Sequence, residues 1–157
     1  MNKNLTRNLT VLGSFVALVC IVFVVTDDVV HHGRSPADRG HDHVLDQAVE
    51  IYRDIDDRSG EAEALNERGT LYRVSGDLAQ AEGCHQQALD LARAIASSCD
   101  EARALAGLGR CAMADGHATQ AGVLLRQGLE IFQRIGAAEA PDLLAELDTL
   151  TGPRTTG

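Results

Sequence analysis

Apolar residues recur every three or four positions through most of the chain. In the stretch Asp42–Asp57, five of them share one helical face: Leu45, Ala48, Val49, Tyr52 and Ile55. This spacing is typical of an amphipathic α-helix. Continued along the chain, it predicts six helices: Asp42–Asp57, Glu61–Val74, Asp77–Ile95, Cys99–Ala114, His117–Ile135 and Ala140–Leu150. The predicted fold class is therefore all-α.

The predicted helices are separated by residues that end one helix or begin the next. Gly60 interrupts the first pattern, Gly76 ends a helix, and Asp77 can accept hydrogen bonds from the free amides of the following first turn. Pro141 falls in the first turn of the last helix, where a missing amide costs little. Because the connections are short, neighbouring helices are expected to lie antiparallel, as hairpins.

The chain also repeats itself at a spacing of 40 residues. The repeated residues are Leu65, Gly69, Gly76, Ala81, Gln87, Leu89 and Ile95, which recur as Leu105, Gly109, Gly116, Ala121, Gln127, Leu129 and Ile135. Self-similarity at one fixed spacing predicts a solenoid, in which each unit buries its apolar face by stacking on the next. An architecture of this kind presents a surface for another molecule and not a catalytic pocket.

Two glycines occupy matching positions inside predicted helices, where glycine costs about 1 kcal/mol relative to alanine. Such glycines indicate a packing requirement. We expect Gly69 to face Ala81, and Gly109 to face Ala121, at the points where the two helices of each hairpin cross. Replacing Gly109 by leucine should then separate its hairpin.

Several of these residues together resemble the tetratricopeptide repeat. The family's pattern is Leu, Leu-Gly and Tyr in a first helix, followed by Ala, an aromatic residue and Ala in a second. It appears here as Leu65, Gly69, Tyr72, Ala81 and Ala88, and again as Leu105, Leu108-Gly109 and Ala121. The departures from it are Arg68, His85, Ala112, Leu125 and Gly128. The resemblance covers residues 42–150 and implies a short solenoid of antiparallel helix hairpins that acts as an interaction module.

The spacing is longer than the usual repeat of about 34 residues. The segments SGEAEALNERGTLYRVSGDLAQAEGCHQQALDLARAI and LLRQGLEIFQRIGAAEA resemble the C-terminal repeat region of actinomycete NB-ARC-type antibiotic-regulatory (SARP-type) transcriptional regulators. Those regulators also carry a nucleotide-switch domain and a DNA-binding domain. The sequence here has no GxxxxGK[ST] phosphate loop and no basic recognition helix. The resemblance therefore implies only the interaction module.

An uncharged apolar run, LTVLGSFVALVCIVFVV, occupies residues 9–25 and follows Lys3 and Arg7. It is near the lower limit of about 17 residues for a membrane-spanning helix. We interpret it as a transmembrane anchor. The alternatives are a cleaved signal peptide, although the run lacks the usual small-x-small cleavage site, and a misassigned start or a remnant of another domain. Because Asp27 and Asp28 follow the run, we expect a single pass with the N-terminus in the cytoplasm. The alternative location is the cytoplasm.

The predicted organisation is a tail over residues 1–8, the apolar segment 9–25, a linker over 26–41, the helical domain 42–150 and a tail over 151–157. Residue types that bind divalent metals occur in and beside the linker. They are His31, His32, Asp38, His41, Asp42 and His43. Because nothing in this stretch fixes their geometry, we interpret it as a solvated tether and predict neither a metal nor a cofactor.

The net charge is −9, and an acidic chain gains nothing from a phosphate backbone. Nucleic-acid binding by this chain alone is not expected. Aromatic residues make up only 3%, so the core has to be built from Ala, Leu, Ile and Val. Cys20, Cys84, Cys99 and Cys111 match no zinc or redox spacing, and we interpret them as thiols. A disulfide between Cys84 and Cys111 is an alternative only if the domain lies outside the cytosol and its helices bring these two cysteines together.

The first helix of each hairpin lines the concave side of such a stack. The candidate partner-binding residues on these helices are Asn66, Thr70, Arg73, Arg103 and Arg110. The three arginines form a basic strip, which suits an acidic segment or a C-terminal carboxylate of a protein or peptide partner. The alternative is that Arg103 pairs with Glu63, 40 residues earlier, as a surface salt bridge.

No motif of a catalytic site is present: GxSxG, HExxH and the Rossmann glycine pattern are all missing from the sequence. We therefore predict a non-catalytic adaptor, membrane-tethered, that binds a partner on its concave face. The alternative is a soluble regulatory fragment related to larger transcriptional regulators. The predicted helix Asp42–Asp57 lacks a hairpin partner of its own. The rest of its apolar face would pack against a second copy in a homo-oligomer or against a partner protein, or would stay exposed.

Overall fold

The computed structural model describes the backbone of residues 36–151 and the side chains of residues 43–150. Over this range it contains six helices and no strand. The helices are α1 (Pro36–Asp54), α2 (Arg58–Val74), α3 (Leu78–Ala94), α4 (Ser98–Ala114), α5 (Ala118–Ile135) and α6 (Ala140–Thr151). The predicted all-α helical repeat fold is confirmed for this part of the chain.

Helix α1 is the one whose bounds differ most from the sequence-based expectation. It begins at Pro36, whereas the apolar spacing predicted a start at Asp42. Proline is compatible with the first turn of a helix, and the residues that follow it are polar, so apolar spacing does not reveal them. The end of the segment that we assigned to a linker, residues 36–41, is therefore helical.

Several expectations concern residues outside the described range: the tails, the apolar segment 9–25, Cys20 and most of the linker histidines. No helix between residues 36 and 151 is long and apolar enough to cross a membrane. Among side chains 43–150, no three potential metal ligands lie together. Cys84 and Cys111 are buried free thiols with no disulfide between them. Burial raises the pKa of Cys111.

The connections between consecutive helices from α1 to α6 share one backbone feature. One residue in each has a positive φ angle, and these residues are 20 positions apart: Asp56, Gly76, Ala96, Gly116 and Gly136. The next amide then bonds back to a carbonyl five residues earlier, as from Asp77 N to Tyr72 O at 2.9 Å. This is the bond of a Schellman cap, which ends a helix tightly. The 40-residue repeat is therefore two helix-and-turn units of equal length.

Ala96 and Asp56 are the two members of this set that are not glycine, and a Cβ atom disfavours the left-handed region by about 1–2 kcal/mol. We expect Ala96→Gly to raise the free energy of unfolding by about 1 kcal/mol. Ala145→Gly, inside α6, is the matched control and should lower it by about 1 kcal/mol. Urea unfolding followed by circular dichroism measures both. If Ala96→Gly lowers stability, the left-handed conformation at this turn is wrong.

The core is built from small and branched aliphatic side chains, as the low aromatic content predicts. One cluster joins α1 to α4 through Val49, Leu65, Leu89 and Leu105. A second joins α4 to α6 through residues such as Leu125. Helices adjacent in sequence pack on each other, and α2 also packs directly on α4. The first helices of the two repeat units therefore lie side by side.

The glycines inside α2 and α4 lie where helices approach closely, as predicted, but they face different residues from those expected. A Cβ atom built on Gly69 would lie 2.8 Å from atoms of the His85 ring, and one on Gly109 would lie 2.8 Å from Cγ of Leu125. These contacts fall one helical turn beyond Ala81 and Ala121, which are themselves fully buried. The close approach is confirmed, and the facing residues are corrected to His85 and Leu125.

Candidate functional site

A cavity of about 220 Å³ opens along the first helices of the units, between α2, α4 and α6. Asn66, Glu67 and Thr70 line it from α2, and Arg103 and Arg110 line it from α4. Four of the five candidate binding residues are thus brought together, although they are distant in sequence. Arg73 is not among the lining residues. The participation of all five in binding stays a prediction.

The arginines of the cavity are already paired with glutamates from the C-terminal end of the stack. Arg103 Nη2 donates to Glu139 Oε1 at 2.9 Å, and this bond lowers the pKa of Glu139. Arg110 donates from Nε and Nη2 to the carboxylate of Glu146 at 2.9–3.1 Å. The alternative pairing of Arg103 with Glu63 is not formed, because Arg103 contacts Glu139 and, at 3.8 Å, Asp100. The basic strip predicted from the sequence is therefore largely neutralised.

The cavity lining holds more carboxylates than guanidinium groups. Glu67, Glu139 and Asp142 line it alongside the two arginines. Within the described side chains, Glu67 has neither an ion pair nor a hydrogen bond, and burial followed by repulsion from Glu63 raises its pKa. The charged side chains that line the cavity therefore carry a net negative charge. The arginines alone would have predicted a positive one.

His85 reaches this cavity from α3, which lies behind the first helices. Its ring passes between Gly69 and Gly107, where any Cβ atom would collide with it. A Cβ atom on either glycine would collide with Cε1 and Nε2. The far edge of the ring is therefore the part that lies between α2 and α4. His85 is only 1% exposed, yet it lines the cavity. It is the single residue of α3 in that lining.

The hydrogen bonds of His85 determine which of its nitrogens is free. Asn66 Nδ2 donates to the carbonyl oxygen of Asp100 at 3.4 Å, so Asn66 Oδ1 is the atom that faces Nδ1 of His85 at 3.2 Å. That bond assigns the proton to Nδ1 and leaves Nε2 as an acceptor. Nε2 is buried and has no hydrogen-bond partner among the described residues. Burial, and then the charges of Arg73 and Arg110, lower the pKa of His85 to about 4.

Sequence reasoning noted His85 only as a departure from the repeat pattern. A usable signal was Gly107, which breaks the 40-residue repeat because Glu67 and Leu147 stand at its equivalent positions. Glycine inside a helix indicates that something approaches it closely. Here that group is the imidazole ring.

A family model described as the tetratricopeptide repeat matches residues 60–134, from the start of α2 to the end of α5. No curated protein matches the chain. The matched segment contains Gly69, Gly107 and Gly109 and most of the cavity lining. The helical repeat fold and the match over residues 60–134 together support a tetratricopeptide-repeat protein.

Proposed function

We propose that this protein is a non-catalytic interaction module that holds a peptide or protein segment in the groove along α2, α4 and α6. Tetratricopeptide repeats generally mediate protein–protein interaction. The observation that carries the proposal is the cavity itself. It collects polar side chains from separate repeat units, with Asn66 and Thr70 from α2 and Arg103 and Arg110 from α4.

The charge of the partner is a separate matter. An acidic segment or a C-terminal carboxylate, as predicted from the sequence, would have to replace Glu139 and Glu146 as the partners of Arg103 and Arg110. Exchange of one surface carboxylate for another changes the free energy little, because exposed ion pairs contribute about 0–1 kcal/mol. Arg73, which has no ion pair within residues 43–150, would add to such a site.

The groove is tested with a variant that carries Arg73, Arg103 and Arg110 changed to Ala. The full chain is first used as bait to capture and identify a partner from the native cell. The affinity of that partner for each variant is then measured. We expect the affinity of the triple variant to differ by at least about tenfold, lower for an acidic partner segment and higher for a basic one. Arg134→Ala, on the exposed end of α5, is the control and should bind normally. If the triple variant keeps its helix content and its affinity is unchanged, these arginines do not take part in binding.

We also propose that residues 9–25 tether the module to a membrane, with the N-terminus in the cytoplasm. The support is the uncharged apolar run and the two basic residues before it. The competing proposal is a soluble, cytoplasmic regulatory fragment related to the repeat region of NB-ARC-type regulators. Val44 and Ile51 of α1, and Ile55 directly after it, are exposed apolar side chains that a second copy could cover.

Cell fractionation separates these two proposals. The full chain should sediment with membranes and require detergent for release, whereas a variant beginning at Arg34 should stay in the supernatant. Recovery of the full chain without detergent would exclude the tether and favour the regulatory fragment.

A further inference from the structure

We propose that the cavity receives a basic side chain of the partner, a lysine ammonium or an arginine guanidinium, with Nε2 of His85 and the carboxylate of Glu67 as its acceptors. The proposal rests on the function proposed above, since it names the residue that the groove takes from its partner. It goes beyond that function because the arginines alone suggested a ligand of the opposite charge.

The first support is the unpaired nitrogen of His85. A buried acceptor without a partner costs about 1–3 kcal/mol, and buried polar groups are almost always bonded. Nε2 lies at the edge of the ring between Gly69 and Gly107, and His85 is one of the residues that line the cavity. Because Nδ1 is bonded to Asn66, the open position accepts a hydrogen bond and cannot donate one. A ligand that completes this site must therefore bring an N–H or O–H donor.

The second support is the surplus of carboxylates around the same space. The guanidinium groups of Arg103 and Arg110 are occupied by Glu139 and Glu146, whereas Glu67 is without an ion pair within the described residues. Burial and Glu63 disfavour the charge on Glu67 more than Arg103 favours it, so an added cation would stabilise it. These two observations select a donor that is also positively charged.

The cations that face His85 act against this ligand and have to be weighed. Arg73 and Arg110 both lower the pKa of His85, so both lie within electrostatic range of the ring. The charge of Arg110 is balanced by Glu146, and Arg73 does not line the cavity. Three carboxylates line the cavity beside two guanidinium groups, so an acidic ligand would meet Glu67, Glu139 and Asp142 on entry.

The test uses the full chain in detergent with blocked tetrapeptides of lysine, glutamate and glutamine as probes. Binding is followed by fluorescence anisotropy at low salt. We expect tetralysine to bind more tightly than the other two peptides. Because the whole protein is acidic, part of this binding is non-specific, so charge-matched variants are needed. Glu67→Gln should weaken tetralysine binding by about tenfold, whereas Glu130→Gln, an exposed residue of α5, should change it by less than about twofold.

A second readout follows the unmodified protein, so the test does not depend on the variants folding. In the protein labelled with ¹⁵N-histidine, the Nε2 resonance of His85 should shift when tetralysine is added and stay in place with tetraglutamine. An unmoved resonance, or equal losses for Glu67→Gln and Glu130→Gln, would overturn the proposal. Tighter binding of tetraglutamate, lost in the triple arginine variant, would also overturn it while leaving the proposed groove function intact.

Discussion

Gly109→Leu should destabilise the protein by about 3 kcal/mol or more, because the helices α4 and α5 have no room for a side chain at this position. A Cβ atom alone would lie 2.8 and 2.9 Å from Cγ and Cδ2 of Leu125 and 3.2 Å from its backbone nitrogen. Leu125 is fully buried, so its side chain is surrounded by other atoms on all sides. A leucine at position 109 must therefore push the two helices apart, and the thermal midpoint should fall steeply.

The control for this variant is a glycine in a similar helix without a close neighbour. Gly83 lies inside α3, and a Cβ atom there would meet nothing within 4 Å. Gly83→Ala should therefore raise the free energy of unfolding by about 0.5–1 kcal/mol, since alanine favours the helix. Equal behaviour of the two variants in urea unfolding would mean that the backbones of α4 and α5 are not in close contact.

Lowering the pH from 7 to 4 should remove about 3 kcal/mol of stability through His85 alone. Its pKa in the folded protein is about 4, against an ordinary value of 6.5, because the ring is buried and faces two arginines. The unfolded chain therefore binds the proton first. The contribution is fully present above pH 6.5 and is lost as the pH falls from 6.5 towards 4.

His85→Leu isolates the contribution of His85 to the pH dependence of stability. Leucine is the replacement because it stands at the equivalent position 125 of the next unit. Its free energy of unfolding should fall less steeply between pH 7 and pH 4.5 than that of the unmodified protein. His117→Gln, which replaces an exposed histidine, should keep the original slope. If all three proteins show the same pH dependence, His85 is not held neutral inside the stack.

Much of the fold follows from local pattern, because each helix buries a continuous aliphatic face. Leu65, Leu105 and Leu129 mark those faces, and the glycines mark the places where helices come close. The polar start of α1 at Pro36 left no such pattern, so its first residues were assigned to a linker. The left-handed conformations of Asp56 and Ala96 were not predicted, since neither residue favours that region as glycine does.

The site was predictable in position but not in charge. The 40-residue spacing placed Asn66, Thr70, Arg103 and Arg110 on successive first helices, and the structure brings them to one cavity. Their neutralisation depends on how α6 continues the stack. Glu139 and Glu146 follow Arg103 and Arg110 by 36 residues, a spacing that does not match the repeat. The entry of the His85 ring depends on tertiary packing, which no single-helix pattern encodes.

The most direct test of the central claim, that the concave face of the first helices holds the partner, is hydrogen–deuterium exchange of the full chain with and without its captured partner. We expect slower exchange in α2 and α4, with little change in α3 and the outer side of α5. Slower exchange confined to α1, α3 or α5 would contradict it.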